Sequence, residues 1–181
     1  MEKAKEDYYI FLDFDGVLND IKSIPALYKL GGIFVNKKDT KVFSQDSIHA
    51  LNSLISTLSH RYNPIIVLTT FWRHDMDKAK SILFANGLQF DGEIDSIPFL
   101  SYKSRLSLIV DYIRNHDSKD NYLIIDDIPR ITKYILEKNL IKTNILSGAL
   151  NISQAMNYVD AYHPELSKYF PIEDLFPMQN N

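Results

Sequence analysis

No cysteine occurs among the 181 residues, which excludes disulfide scaffolds, zinc ribbons, Cys nucleophiles and thiol redox chemistry. Glycine is scarce, at 6 residues, and neither G-x-G-x-x-G nor G-x-x-x-x-G-K-[ST] is present, so the loops that cradle dinucleotides and nucleoside triphosphates are missing. An excess of charge is missing too. Lys and Arg total 20 against 23 Asp and Glu, a formal net charge of -3, which gives no global pull toward nucleic acid or an anionic membrane. Apolar runs are all far shorter than a membrane span. The opening MEKAKED is charged with both signs and carries no signal-type apolar core, so a cytoplasmic location is expected. What remains is an ordinary globular balance, 45% hydrophobic and 24% charged, at a length suited to one domain with its own core.

Strand and helix patterns alternate along the chain. Tyr8 to Leu12, Ile65 to Leu68 and Tyr122 to Ile125 are short apolar runs rich in β-branched and aromatic residues, each ended by Asp or Thr. Ser44 can cap a helix that places Ile48, Leu51, Leu54, Ile55 and Leu58 on one face. Further helices are expected over 75–86, 104–115, 130–139 and 151–162, with a short strand near 143–146 and a loop over 92–98. Strands that are apolar throughout and separated by helices predict a parallel sheet covered on both faces, a three-layer α/β/α Rossmann-like fold. Ligands of such sheets sit beyond the carboxyl ends of the strands.

Those ends supply Asp13, Asp15, Thr69, Thr70, Asp126 and Asp127. Four carboxylates on one edge would repel one another unless a cation sat among them, and an all-oxygen set favours Mg²⁺. A magnesium ion with open positions commonly shares a phosphate oxygen. Asp13, at the strand tip, is placed to attack phosphorus, and Asp15 to serve as general acid and base. Thr69 offers a hydroxyl and Thr70 its backbone N–H to the transferring phosphoryl. Lys103, just before a helix, is the expected neutraliser of its oxygens, with Arg105 as a competitor.

These residues resemble the haloacid dehalogenase superfamily of aspartate-nucleophile phosphatases. The resemblance rests on Asp13-Phe14-Asp15-Gly16-Val17-Leu18-Asn19 behind an apolar strand, Thr69 after a second, Lys103, and Leu123-Ile124-Ile125-Asp126-Asp127. It implies a Mg²⁺-dependent phosphomonoesterase that works through an aspartyl-phosphate, with Asp13, Asp15, Asp126 and Asp127 about the metal. In that superfamily, caps are inserted between the first and second motifs or the second and third, and neither interval here holds one. Residues 1–163 are therefore expected to form a capless HAD-like core with a flap or hairpin at 19–43, and 164–181 a tail packed upon it. An open site implies a macromolecular substrate. Phe71, Trp72 and Arg73 are candidate substrate contacts, and Phe71 and Trp72 with Tyr28 and Phe34 of the flap suggest an aryl slot. The leading expectation is thus a phosphoprotein phosphatase, with phosphotyrosine favoured over phosphoserine. The alternatives are a nucleic-acid end phosphatase (5′ or 3′) or repair enzyme, and a small-molecule phosphatase lidded by a partner subunit. Low basic content makes nucleic acid the lesser expectation.

Overall fold

The computed structural model of the chain describes residues 4–19, 43–118, 120–127, 137–144 and 149–171. Most of the expected flap, the expected helix over 130–139 up to residue 136, and the tail beyond 171 lie outside them. The strands are β1 (Glu6–Leu12), β2 (Tyr62–Leu68), β3 (Ile94–Ser96), β4 (Tyr122–Asp126) and β5 (Leu140–Lys142). The helices are α1 (Gln45–Ser59), α2 (Met76–Ala85), α3 (Arg105–Asn115) and α4 (Ile152–Tyr162). The five strands form one all-parallel sheet in the order β3-β2-β1-β4-β5.

The period of two along the central strands builds two cores from one apolar run. Tyr8, Ile10 and Leu12 of β1, with Ile66 and Leu68 of β2 and Leu123 and Ile125 of β4, pack with α1, α2 and α4. The intervening Tyr9, Phe11, Ile65, Val67, Tyr122 and Ile124 face the other way, onto Leu108, Ile109 and Tyr112 of α3. This burial on both faces explains why β1, β2 and β4 carry no polar alternation. The expected three-layer α/β/α architecture is the observed one.

Two strands differ from expectation. The 92–98 segment contains β3, whose Ile94-Asp95-Ser96 has no apolar run but pairs with Ile66, Val67 and Leu68 through its backbone. The last strand lies earlier than 143–146, because Leu140, Ile141 and Lys142 take the register opposite Ile124, Ile125 and Asp126. Beyond α4, a 3-10 turn at Pro164–Tyr169 brings Leu166 and then Phe170 into the first core. No helix among the described residues is long and apolar enough to cross a membrane.

The sheet order sets the position of the site. The chain leaves β1 for β2 on one side and later returns to pair β4 on the other, so the order reverses at the centre. Crevices at such reversals are where open α/β sheets bind ligands.

Candidate active site

The ladders run on to the strand tips and fix the first residues beyond them. The Asp13 N–H donates to the Ile125 carbonyl at 3.2 Å, and the Thr69 N–H to the Leu12 carbonyl at 2.9 Å. Asp13 is thereby set between Thr69 and Asp126 at the centre of the carboxyl edge.

The turn after Asp13 is anchored by Phe14, Val17 and Leu18, all fully buried. The Phe14 carbonyl accepts from the N–H groups of Val17 and Leu18 at 3.2 and 2.8 Å. Gly16 adopts φ +79°, a left-handed conformation that most side chains resist. Its N–H donates to Asn19 Oδ1 at 3.0 Å, and Asn19 Nδ2 donates to Asp15 Oδ1 at 3.0 Å. Trp72 Nε1 donates to the other Asp15 oxygen at 3.3 Å. Asp15 is thus an exposed carboxylate held from two sides.

Gly16 has a second reason to be glycine. A Cβ there would lie 2.5 Å from Asp127 Oδ2 and 2.8 Å from its Cγ. Gly16→Ala is therefore expected to displace Asp127 as well as strain the turn, lowering stability by roughly 1–2 kcal/mol and phosphatase turnover with it. Gly87 also has positive φ, at +100°, but its Cβ would meet nothing nearer than 3.9 Å. Thermal melts should show both alanine variants weakened, with turnover lost only in Gly16→Ala; equal turnover in the two would remove the role given to the Gly16–Asp127 contact.

Asp13, Asp126 and Asp127 each offer a carboxylate oxygen, and these atoms lie within 4.8 Å of one another. The set contains oxygen donors only, two of its residues are buried, and it fits a hard divalent cation such as Mg²⁺. Asp15, expected in the same set, is not among these three, and its carboxylate accepts from Asn19 and Trp72. Burial pushes the Asp13 carboxyl up to about 6, with the neighbouring Asp126 adding to the effect and Arg105 opposing it. Asp127 is raised for the same reasons, burial first and Asp126 next.

The cation at this cluster is Arg105. Its Nη1 donates to Asp13 Oδ2 and, at 2.9 Å, to Asp126 Oδ2. Burial disfavours the Arg105 charge, yet the two carboxylates outweigh it and raise the pKa. Lys103, the expected neutraliser, lies elsewhere: its Nζ pairs with Asp111 at 2.7 Å on the exposed face of α3. The helix cap separates the two. Ser104 accepts from the Ser107 N–H and ends the preceding turn, so Lys103 stays outside the helix while Arg105 opens it.

The segment after β2 also divides its residues differently from expectation. Thr69 is buried, and its hydroxyl has no hydrogen-bond partner among the described residues. An orphaned hydroxyl costs about 1–3 kcal/mol, and a phosphoryl oxygen would satisfy it. The Thr70 side chain accepts from the Trp72 N–H at 3.4 Å and starts a 3-10 turn over Phe71–His74. Arg73 is tied to the backbone through Nε and Nη1. Its guanidinium donates to the carbonyls of Ile97, Thr69 and Thr70 at 3.1, 3.0 and 2.6 Å, tying β2's end to the loop after β3. Trp72 packs on the core and touches Asp15, whereas Phe71 is exposed. Tyr28 and Phe34 lie outside the described residues.

A buried carboxylate at the tip of β1, an acidic cluster over β4 and a cation from α3 fit one class: a phosphatase of the haloacid dehalogenase superfamily. A family model described as the HAD domain in Swiss Army Knife RNA repair proteins matches residues 9–150, and the chain belongs to that family, a superfamily branch without a cap. No curated protein and no solved structure matches the chain. The match gives the expected phosphoprotein preference no support and stands closer to the nucleic-acid alternative.

Proposed function

We propose that the protein removes a terminal phosphate from RNA through an aspartyl-phosphate on Asp13. The observation that carries this reading is the family match to a domain of RNA repair proteins. The pairing of Arg105, at the start of α3, with the buried Asp13 and Asp126 within the matched residues supports a phosphoryl-transfer site there.

In the first step an Asp13 oxygen attacks phosphorus, and the bond from phosphorus to the ribose oxygen breaks. Asp15, steadied by Asn19 and Trp72, delivers the proton that the leaving oxygen needs. In the second step water attacks the phosphorus of the acyl phosphate. Asp15 takes the water's proton, inorganic phosphate leaves and Asp13 is restored. Thr69 donates its hydroxyl, Thr70 its backbone N–H and Arg105 its guanidinium to the equatorial oxygens, where negative charge spreads in a loose transition state. Asp13, Asp126 and Asp127 are the residues that would hold Mg²⁺, which would supply further positive charge against those oxygens.

Turnover of 5′- and 3′-phosphorylated RNA oligonucleotides, measured beside phosphotyrosine and phosphoserine peptides, tests the reading. RNA ends are expected to show the higher kcat/KM. Faster release from the peptides would overturn the assignment.

A further inference from the structure

Most large apolar side chains of the described residues are buried, but Phe71 and Phe99 are exposed and touch one another, and Tyr102 is exposed three residues further along the chain. Phe71 is 56% exposed, Phe99 52% and Tyr102 78%. Phe71 immediately follows Thr70. Phe99 and Tyr102 lie in the segment joining β3 to α3, whose first residue, Arg105, reaches Asp13. The Phe71 and Phe99 rings meet edge to face, with centroids 5.5 Å apart at 74°. This pair is held from below. The Arg73 guanidinium lies 5.1 Å from the Phe99 ring centroid while it grips the Thr69, Thr70 and Ile97 carbonyls. The exposed rings are therefore coupled to the same backbone that sets Thr69 beside Asp13.

Exposed rings fixed in place beside an open phosphate site have the properties of a stacking platform. Among the described residues, the cations of the segments that carry these rings are already engaged: Arg73 with carbonyls, Arg105 with carboxylates, and Lys103 with Asp111. A path along many backbone phosphates would need free Lys and Arg. A single base beside the terminal phosphate needs only a π-surface. We infer that Phe71 and Phe99 stack the terminal nucleobase of a single-stranded RNA end and thereby seat its phosphate at Asp13. This rests on the RNA-end reading and specifies it further: the unpaired end, whose base is free to leave its neighbours, is the preferred form.

The test compares wild type with Phe71→Ala, Phe99→Ala, Phe99→Tyr and Phe84→Ala. Phe84 is also exposed, at 48%, but it lies on α2 outside the platform. Substrates are terminally phosphorylated single-stranded RNA, the same RNA with an abasic terminal nucleotide, a phosphotyrosine peptide and glycerol phosphate. Each variant's kcat/KM on RNA is read relative to its own value on glycerol phosphate. Phe71→Ala and Phe99→Ala are expected to lower that ratio roughly 5- to 150-fold, chiefly through KM, as loss of one stacked base does. Phe99→Tyr should retain it, and Phe84→Ala should match wild type. The abasic end should be poor for wild type and no worse for the alanine variants. If RNA ends are turned over but the platform variants behave as Phe84→Ala, or if wild type treats abasic and base-bearing ends alike, the platform falls and the RNA-end reading stands. If wild type releases phosphate from the peptide and not from RNA, both fall.

Discussion

Asp13→Asn is expected to lower phosphate release at least about 10³-fold on every substrate, because the amide cannot form the acyl phosphate. The same substitution should change how stability depends on pH. In the unfolded chain this carboxyl titrates near 3.8, whereas in the folded protein burial raises it to about 6. The native state therefore binds the proton more tightly. Stability from this group is fully present below about pH 4 and declines as pH rises through about 6, where a buried carboxylate must ionise. A difference of about two units corresponds to at most about 3 kcal/mol. Metal-free wild type should accordingly lose stability between about pH 4 and 6 relative to Asp13→Asn and level off above that, as read by denaturant or thermal unfolding. Mg²⁺ should restore more stability at pH 7 than at pH 5, since it binds the ionised cluster of the folded state. An Asp13→Asn variant that keeps wild-type turnover would remove Asp13 as nucleophile. An unchanged pH profile would remove its buried ionisation as the cause of the pH dependence.

The residues most legible in the sequence are those whose position is set by strand pairing. β1, β2 and β4 are apolar because both their faces are covered, and the change to Asp or Thr marks where the sheet ends and the crevice begins. Asp13, Thr69 and Asp126 could be placed from that pattern alone. β3 could not, since Ile94-Asp95-Ser96 owes its state to backbone pairing with β2, and Asp95 accepts from the Tyr112 hydroxyl at 2.6 Å rather than facing an apolar layer. Side-chain direction was less legible than strand position. Asp15 lies two residues from Asp13, yet it is not among the three residues of the metal-type cluster, and its carboxylate accepts from Asn19 and Trp72. Arg73 reads as a substrate contact, and nothing in the sequence signals that three backbone carbonyls take up its Nε and Nη1. The charge argument does not weigh against an RNA end, for a physical reason. A net charge of -3 speaks against a long electrostatic track on nucleic acid, but an end-directed enzyme grips one phosphate and need not neutralise many.

Arg105→Met should separate two functions that one guanidinium combines. Both of its bonds to carboxylates come from Nη1, and among the described residues Nε and Nη2 make no hydrogen bond. Charge balance and phosphoryl recognition can therefore rest on different nitrogens. Removing the cation leaves Asp13 and Asp126 opposed, which drives the raised Asp13 carboxyl higher still. Breaking a buried pair in this way costs about 3–5 kcal/mol, less here because the Arg105 side chain is 30% exposed. Mg²⁺ at neutral pH should recover much of that stability by replacing the lost charge. It should not recover turnover, which is expected to stay roughly 10²- to 10³-fold below wild type for want of a donor to the transition state. Arg105→Lys keeps a charge beside the carboxylates but lacks the planar fork, so it should be more stable than Arg105→Met and still slow. Lys103→Ala provides the contrast, because its pairing with Asp111 is exposed and away from the carboxylates. Its turnover should remain close to wild type. The decisive measurement is kcat for the three variants at saturating Mg²⁺, alongside their melting temperatures with and without the ion. A Lys103→Ala loss as large as that of Arg105→Met would return the phosphate-neutralising role to Lys103. Full recovery of Arg105→Met turnover by Mg²⁺ would reduce Arg105 to a counter-charge.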